Sequence, residues 1–538
     1  MSCPSKARFA GLEARTRSRK PAGSPNRGLS PPVIEAMTAR HPAQVYDEPL
    51  NATVDCGLGF CLALSCPGHG VCRGCPVCQD GIVLEPVEAM LGEILKCLGQ
   101  GETPLTITGS GRLRSAFAVT DLAVASIGVA GAAVAELMAV RGEGKPRVVV
   151  DRALASQWFT SSARSLGWNP PPAWDPVAGD YRGEDGWVRL HTNAPRHRAA
   201  ALAVLGVQAD RGLVGQAVSK WTVEELETAV VEAGGAAAAM RLRTEWDLHP
   251  QGQAVAEEPL VHREPTSQGD GYWRPVDGGR PLAGLRVLDM TRVLAGPVGT
   301  RLLAGWGAEV LRIDPPDWDE AGLALEVTLG KHCARMDLRE AQQRERWWAL
   351  LPEADVLVHG YRPGALEALG LGRDERERRR PGLVDVSLDA YGWSGPWRGR
   401  RGFDSLVQMS SGIAAEGMSA FGTDRPTPLP VQALDQATGY LMAASVIAGL
   451  IEREKHGVGS RWRASLARTA RLLIDHGRTM SLDEPLEPAD PSMPSNLEQT
   501  PWGPAHRLPG PLLVDGVSLH WDLPARPLGS DSASFASG

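Results

Sequence analysis

The residues best suited to metal chemistry form a cysteine cluster near the start of the chain. Thiolates at short spacing suit an iron–sulfur cluster or a structural zinc ion, although neither ligand pattern is complete here. An intracellular chain would not use such thiols as disulfides, and the alternative is a thiol-rich leader that binds no metal. The six cysteines fall within 23 residues and are Cys56, Cys61, Cys66, Cys72, Cys75 and Cys78.

A second residue with chemical potential is Asp435. It opens a long and nearly apolar stretch, Gln436 to Leu450, whose composition predicts a buried helix. Backbone N–H groups and the helix dipole hold a carboxylate at a helix N-terminus. Such a carboxylate can carry chemistry, or it can simply cap the helix, because Asp is a preferred N-cap residue. The spacing alone does not choose between these two roles.

The elements around Asp435 indicate an α/β protein. Leu285–Met290 predicts a strand, Pro297–Trp306 a helix and Ala308–Asp314 a second strand. Strand, helix and strand within about 30 residues form a βαβ unit, which implies parallel pairing. Val356–Val358 and Leu383–Leu388 supply further strands. We therefore expect an open, parallel, Rossmann-like sheet with helices on both faces.

The turn after the first strand does not carry a nucleotide-binding motif. Its sequence, TRVLAGPVG, lacks the pattern G-x-G-x-x-G, so nicotinamide or flavin binding has no support there. The P-loop and H-E-x-x-H patterns are also missing from the sequence. The function must therefore be argued from other residues.

Five blocks of sequence resemble class III CoA-transferases, the carnitine-dehydratase and bile-acid-inducible family. The blocks occur in family order, which makes the resemblance highly specific. They are PLAGLRVLDMTRVLAGPVGTRLLAGWGAEVLRIDPP (281–316), VLVHGYRPGALEALGLG (356–372), VSLDAYGWSGPW (386–397), GFDSLVQMSSGIAAEG (402–417) and PVQALDQATGYLMAASVIAGL (430–450).

The resemblance implies a fold and a mechanism. Family members join a Rossmann-like domain to a smaller α+β substrate domain and form interlocked homodimers. Asp435, in LDQATG, matches the catalytic Asp of the family. It would attack an acyl-CoA thioester, form a mixed anhydride, and then carry CoA as an aspartyl-CoA thioester for an acceptor acid. Coenzyme A is then a substrate, and the partners are an acyl-CoA and a carboxylic acid.

The same resemblance places coenzyme A against five residues. Val293 and Ala295 lie in the loop after the first strand, where the family holds CoA. Arg312 and Lys331 match basic positions that could meet the CoA phosphates. Tyr361 matches an aromatic position near the adenine. Each basic residue could equally be a solvated surface charge.

Two alternative functions stay open within the family. The α-methylacyl-CoA racemases use a His in a G-H-D motif together with the same Asp. The matching motif here is Gly402-Phe403-Asp404, and Phe cannot move a proton. This difference disfavours a racemase-like isomerase. The other alternative is a catalytically inactive paralogue that only binds CoA.

Part of the family pattern occurs twice in the chain. Ala118–Leu137 resembles the Asp helix, so Asp121 matches Asp435 at a separation of 314 residues. Arg147–Phe159 matches Arg461–Leu473 at the same separation. Asp121 is therefore a second catalytic candidate.

The order of these blocks indicates two incomplete family units joined in one chain. The first unit lacks the βαβ opening and the second lacks the small domain, so one chain could rebuild much of the family dimer as a monomer, or two chains could form a homodimer. The predicted organisation is a disordered leader (1–50), a Cys-rich segment (51–100), a first unit with an Asp helix and small domain (101–268), a second unit with the Rossmann-like domain (280–475) and a Pro-rich tail looping over the surface (476–538).

Composition limits the classes of partner and the cellular location that we expect for the protein. The chain carries 56 Lys and Arg against 63 Asp and Glu, which argues against general nucleic-acid binding. The longest apolar run, Leu122–Val140, is interrupted by Ser126 and Glu136, so we expect a core helix rather than a membrane span. Met1–Arg40 lacks the apolar segment of a secretory signal. We expect a cytoplasmic enzyme that acts on small molecules.

Overall fold

Helices and strands alternate through the computed structural model, which describes residues 85–101, 103–144, 146–269, 273, 279–477, 486 and 496–535. The strands are β1 Leu105–Thr108, β2 Val148–Asp151, β3 Ala163–Ser165, β4 Gly179–Arg182, β5 Trp187–Leu190, β6 Ala237–Ala239, β7 Val261–Gln268, β8 Arg286–Met290, β9 Glu309–Asp314, β10 Lys331–Arg335, β11 Val356–His359, β12 Val384–Asp389, β13 Val458–Ser465, β14 Asn496–Thr500, β15 Gly503–Arg507, β16 Leu512–Val514 and β17 Val517–Ser518.

The helices follow the same numbering along the described chain. They are α1 Pro86–Leu98, α2 Val119–Val140, α3 Arg152–Thr160, α4 Pro195–Leu205, α5 Arg211–Val218, α6 Val223–Glu232, α7 Arg243–Leu248, α8 Pro250–Glu257, α9 Ala295–Gly305, α10 Ala324–Val327, α11 Ala341–Leu350, α12 Ala365–Ala368, α13 Arg373–Arg379, α14 Asp404–Ser410, α15 Ile413–Phe421, α16 Ala433–His456 and α17 Leu466–His476.

A seven-stranded sheet forms the centre of the fold. Its order is β10-β9-β8-β11-β12-β13-β7, and all neighbours are parallel except β7, which is antiparallel to β13. Side chains alternate between the two faces. Val287 and Val356 pack with α9 and α16, whereas Leu288 and Leu357 pack with Trp347 of α11. Apolar cover on both faces is typical of parallel sheets, and the predicted α/β fold is confirmed.

A smaller α+β region follows the first Asp helix. Strands β4, β5 and β6 form an antiparallel sheet of three strands. Val188 and Leu190 of β5 share a core with Val214 of α5 and Leu226 of α6. The alternation of buried and partly exposed residues along β5 explains this packing, because only one face of the sheet meets these helices.

The internal repeat is visible in the secondary structure. Helices α2 and α16 begin 314 residues apart, and so do α3 and α17. The N-cap residues of the second pair also correspond, because Asp151 accepts the N–H of Leu154 and Ser465 accepts the N–H of Arg468. Strand β1 pairs with β2 in parallel, as β12 pairs with β13.

The C-terminal segment completes the sheet of the first repeat. Strand β16 pairs antiparallel with β2, as β7 pairs antiparallel with β13. The expectation of a tail that loops over the surface is therefore wrong for residues 496–535. The many prolines of this segment predict a loop, but the short apolar run Leu512–Val514 forms a strand whose end residues are buried.

The two Asp helices pack side by side in the core. Their C-terminal ends lie together, where Arg141 pairs with Glu454 at 2.7 Å and Lys455 pairs with Glu136 at 3.3 Å. Of the described helices, these two are long and apolar enough to cross a membrane, but 78% and 100% of their most apolar windows are buried within the protein. Both are core helices of this fold, as the sequence predicts for Leu122–Val140.

Helix α16 packs tightly against α9 at Gly439. A methyl group at this position would lie 2.9 Å from the Val298 Cβ, whereas a methyl group on Gly92 of α1 would have nothing within 4 Å. We expect Gly439→Ala to lower the free energy of unfolding by about 1–3 kcal/mol through overpacking. We expect Gly92→Ala to raise it by about 0.5–1 kcal/mol, because Ala favours a helix. Urea unfolding measures both, and equal effects would contradict this packing.

Candidate active site

The carboxyl ends of β8, β11 and β12 open into a cavity of about 520 Å³. This edge is where open α/β sheets bind ligands. Asp435 lines the cavity together with Val293, Ala295 and Tyr361. The fold therefore brings the predicted nucleophile together with three of the five predicted CoA contacts.

The loop between β8 and α9 holds a strained residue at the cavity wall. Val293 has a φ angle of 64°, which is unusual for a β-branched residue. Its N–H donates to the Glu320 carboxylate at 2.8 Å, and this bond helps to fix the loop. Strain of this kind is retained at functional sites where the surrounding structure over-determines the backbone.

Asp435 lies in the first turn of α16 but does not cap the helix. Asp404 takes that role, because its Oδ2 accepts the N–H of Leu434 at 2.9 Å and the N–H of Asp435 at 3.1 Å. Within the described part of the chain, no ion pair involves the Asp435 carboxylate. Asp435 is therefore not the capping residue of α16, because Asp404 fills that role. The side chain of Asp435 lines the cavity instead.

Burial sets the protonation of this pair of carboxyl groups. Burial and then repulsion from Asp404 raise the pKa of Asp435 well above its usual range. Burial also raises the pKa of Asp404 to about 6, although two backbone N–H groups and the Gln408 amide oppose the shift. Two adjacent buried carboxyl groups resist holding two negative charges. A cationic or hydrogen-bonding ligand in the cavity would favour the ionised Asp435.

The second candidate, Asp121, has a different environment. It is buried, and its carboxylate forms ion pairs with Arg152 and with Arg112, the latter at 3.4 Å. The position that corresponds to Arg152 in the second repeat is Leu466, which lines the Asp435 cavity. Asp435 therefore has no cation beside it in the described structure, whereas the charge of Asp121 is neutralised by arginines. Asp121 does not line the cavity that Asp435 occupies.

The two predicted basic contacts of CoA are internal residues. Arg312 is fully buried and pairs with Asp314 at 2.8 Å and with Glu320, and Lys331 is fully buried with its Nζ 3.0 Å from Asp289. Their charges are matched by buried carboxylates, as buried charges require. The structure does not place them where they could meet CoA phosphates. They instead support the β8–α9 loop from beneath.

The cavity takes its positive charge from residues that the sequence did not single out. Arg196, Arg362 and Arg401 all line it, and none of the three has a carboxylate within 4 Å in the described structure. Burial, followed by repulsion from Arg362 and Arg196, lowers the pKa of Arg401. Guanidinium groups without local counter-ions form a site for an anionic ligand. In the sequence, the only indication of this anionic-ligand site is a basic turn, RGRRG at 398–402.

The comparison with known families falls on this part of the molecule. Residues 282–496 match the family model of CoA-transferase family III. We call this matched stretch the family III segment. It contains Asp435 and the cavity-lining residues from β8 to α17, so the resemblance carried by the five sequence blocks is confirmed.

Relatives of the family III segment include named CoA-transferases. A probable fatty acyl-CoA transferase of Mycobacterium tuberculosis is 32% identical over 230 residues, which are 39% of this chain and 58% of that protein. Succinyl-CoA:glutarate CoA-transferase of Mus musculus is 32% identical over 211 residues, covering 36% and 48%. A crystal structure of a hypothetical protein from Mycobacterium tuberculosis has 33% identity, covers 36% and 56%, and has a TM-score of 0.32. The chain thus spans about half the length of the curated relatives it matches.

The racemase position of the family III segment is occupied by a ring stack. Phe403 stacks on His191 of the small α+β region, with ring centroids 3.6 Å apart and an angle of 7° between the planes. Burial and then the nearby Arg189 lower the pKa of His191 to about 3. The imidazole is therefore neutral and a weak base. Neither ring of this pair suits a racemase base.

A further carboxyl group, which the sequence did not single out, lines the Asp435 cavity. Asp389 ends β12, and its Oδ1 accepts the N–H of Tyr391 at 2.8 Å and the N–H of Gly392 at 3.1 Å. Its Oδ2 has no hydrogen-bond partner in the structure. Burial raises the pKa of Asp389 to about 7, because these two N–H bonds only partly offset desolvation. In the sequence, the only indication of a role for Asp389 is its position at the end of a short apolar strand.

The predicted metal site cannot be placed. The six cysteines at 56–78 lie outside the described residues. Among residues that the structure does describe, no group of three or more His, Cys, Asp or Glu side chains could hold a metal ion. The iron–sulfur and zinc options therefore gain no support.

The different environments of the two Asp residues predict opposite effects on stability. The raised native pKa values of Asp435 and Asp404 mean that the folded protein binds more protons than the unfolded chain, so their contribution to stability is lost as pH rises through those values. We expect Asp435→Asn to raise the melting temperature at pH 8 and to change it little at pH 4. We expect Asp121→Asn to cost about 3 kcal/mol at pH 8, because it leaves Arg152 without its carboxylate.

Thermal unfolding of both variants at the two pH values measures this contrast. A stabilising Asp121→Asn, or an Asp435→Asn that destabilises the protein at pH 8, would contradict the assigned environments.

Proposed function

We propose that this protein transfers coenzyme A from an acyl-CoA thioester to a carboxylic acid, with Asp435 as the covalent carrier. The observation that supports this most directly is a buried carboxylate without a counter-ion, which lines a cavity bordered by five arginines at the carboxyl edge of the sheet. A structural carboxylate would be paired, as Asp121 is. A carboxylate kept unpaired at a stability cost is typical of a nucleophile.

The proposed reaction balances without ATP, metal or a redox partner. The Asp435 carboxylate attacks the thioester carbonyl, the C–S bond breaks, and CoA leaves as a thiolate. The thiolate attacks the aspartyl carbonyl of the mixed anhydride, and the original acyl group leaves as a carboxylate. An acceptor carboxylate then attacks the aspartyl-CoA thioester, whose C–S bond breaks to release the CoA thiolate. The thiolate attacks the acceptor carbonyl of the new anhydride, and the Asp435 carboxylate leaves. Asp435 is regenerated, and the thioester bond energy is retained.

The first turn of α9 supports the oxyanions of these steps. Ala295 begins the helix and lines the cavity, and no side chain caps this N-terminus. The N–H groups of a first helical turn have no partner within the helix, and the dipole places partial positive charge there. Donors fixed before the reaction stabilise developing charge most effectively. We therefore assign the N-terminus of α9 to the tetrahedral intermediates.

The proposed CoA position follows from the distribution of charge. Val293 and Ala295 would border the thioester arm, and Tyr361 would meet the adenine, as the sequence resemblance implies. Arg196, Arg362 and Arg401 would take the phosphates in place of Arg312 and Lys331, because they line the cavity and have no carboxylate partner in the described structure.

The proposed site is a composite of both repeats. Arg196 and His197 come from the small α+β region of the first repeat, whereas Asp435 comes from the second. One chain therefore supplies both a Rossmann-like domain and a covering domain. We propose that the chain works as a monomer that rebuilds one half of the family dimer, in the cytoplasm, on free acyl-CoA and free acid.

A transfer assay with matched Asp variants tests the proposal. Acyl-CoA is mixed with an isotopically labelled acid, and the labelled acyl-CoA is followed by mass spectrometry. We expect double-displacement kinetics, and we expect Asp435→Asn to lower kcat by roughly 10³-fold or more, because the nucleophile is lost. Asp121→Asn, assayed where it is folded, should keep most of the activity. Equal losses in the two variants, or full activity in Asp435→Asn, would refute the assignment.

A further inference from the structure

A second chamber adjoins the Asp435 cavity. It has a volume of about 410 Å³ and shares Val293, Trp318 and Phe403 with the cavity that holds Asp435. These three shared residues lie on the wall between the two spaces. A group attached to the thioester carbonyl beside Asp435 could therefore extend past them into the chamber.

The walls of the chamber are apolar and stiff. Pro171, Pro172 and Pro176 form one side, with Trp174 next to them, and Leu323 lies in the facing loop. Proline fixes its own φ angle, so this side of the chamber is held in shape before a ligand arrives. Rigid apolar walls favour an apolar occupant.

Polar side chains around the chamber already have partners within the protein. Asn193 donates to the Ala173 carbonyl at 2.7 Å and accepts from the Asp175 N–H at 3.2 Å. The Asp175 carboxylate pairs with Arg198 at 2.9 Å. These bonds bind the proline-rich loop to β5 and its following turn. They leave few groups to solvate a polar ligand.

The charged side chains that line the chamber are all acidic, but two of them are neutralised by arginines that lie outside the lining. Asp175, Asp319 and Glu320 line it, and no Lys or Arg does so among the residues that the structure describes. The Asp435 cavity next to it contains unpaired arginines. A carboxylate at the far end of an acyl chain would therefore find no unpaired cation, which is costly in a partly desolvated space.

We infer that the chamber binds the acyl group of the substrate and selects an uncharged, apolar acyl chain over a dicarboxylic one. This inference rests on the proposed function, because it takes the thioester carbonyl to lie beside Asp435. Selection arises from burial of methylene groups against the proline and tryptophan walls. Discrimination against a second carboxylate arises from the lack of an unpaired cation in the described lining of the chamber.

Binding of unreactive CoA thioethers tests the inference separately from catalysis. Calorimetry gives the Kd of S-ethyl-, S-butyl-, S-hexyl- and S-(4-carboxybutyl)-CoA for the full chain. We expect the Kd to fall about fourfold for each added methylene, and the carboxyalkyl compound to bind roughly 100-fold more weakly than S-butyl-CoA. A Kd independent of chain length, or tighter binding of the carboxyalkyl compound, would overturn the inference. Failure of the transfer assay with this binding order intact would overturn only the proposed function.

A charge introduced into the chamber provides the matched test. Leu323→Arg places a cation in the lining, whereas Leu325→Arg makes the same change two residues away, where the side chain borders a different cavity. We expect Leu323→Arg to strengthen binding of the carboxyalkyl compound at least tenfold and to weaken S-hexyl-CoA binding. Leu325→Arg should change neither. An equal response of the two variants would contradict the location of the acyl site.

Discussion

The cap at the start of α16 is the interaction on which the site depends. A helix N-terminus needs hydrogen-bond acceptors, and an Asp in its first turn would ordinarily supply one. Here Asp404 reaches across from α14 and accepts two N–H groups of α16. Asp435 is thereby released from a structural role and remains buried without a counter-ion. Burial, and then the second carboxylate, raise the pKa of Asp435, so the cap and the proposed reactivity of Asp435 are linked.

One difference in sequence between the two repeats gives their Asp residues different environments. The Asp helices of the two repeats begin 314 residues apart, and so do the helices that follow them. The N-cap residues of those following helices also correspond. Arg152 occupies the position of Leu466 and captures Asp121. The first repeat lacks a βαβ opening within the described chain and retains a helix that completes the core. Its small α+β region contributes instead to the site of the second repeat.

The sequence predicted the elements that depend on local pattern. The βαβ unit, the Asp helix and the loop with Val293 follow from short-range apolar periodicity and from matched motifs. It could not predict that Arg312 is internal, because burial of a basic residue depends on carboxylates that only the fold brings near, such as Glu320. It also missed Arg196, which reaches the site from a region more than 200 residues before Asp435. Side chains contributed by distant segments leave no local pattern.

Chemical trapping of the carboxylate that carries the reaction tests the central claim most directly. The protein is incubated with an acyl-CoA, quenched with hydroxylamine and digested, and its peptides are analysed by mass spectrometry. An activated aspartyl anhydride or thioester becomes a hydroxamate with a fixed mass change. The account predicts this modification on the peptide that contains Asp435, and none on the peptide that contains Asp121. Modification of Asp121, or an unmodified Asp435 in a protein that still binds CoA, would contradict the account.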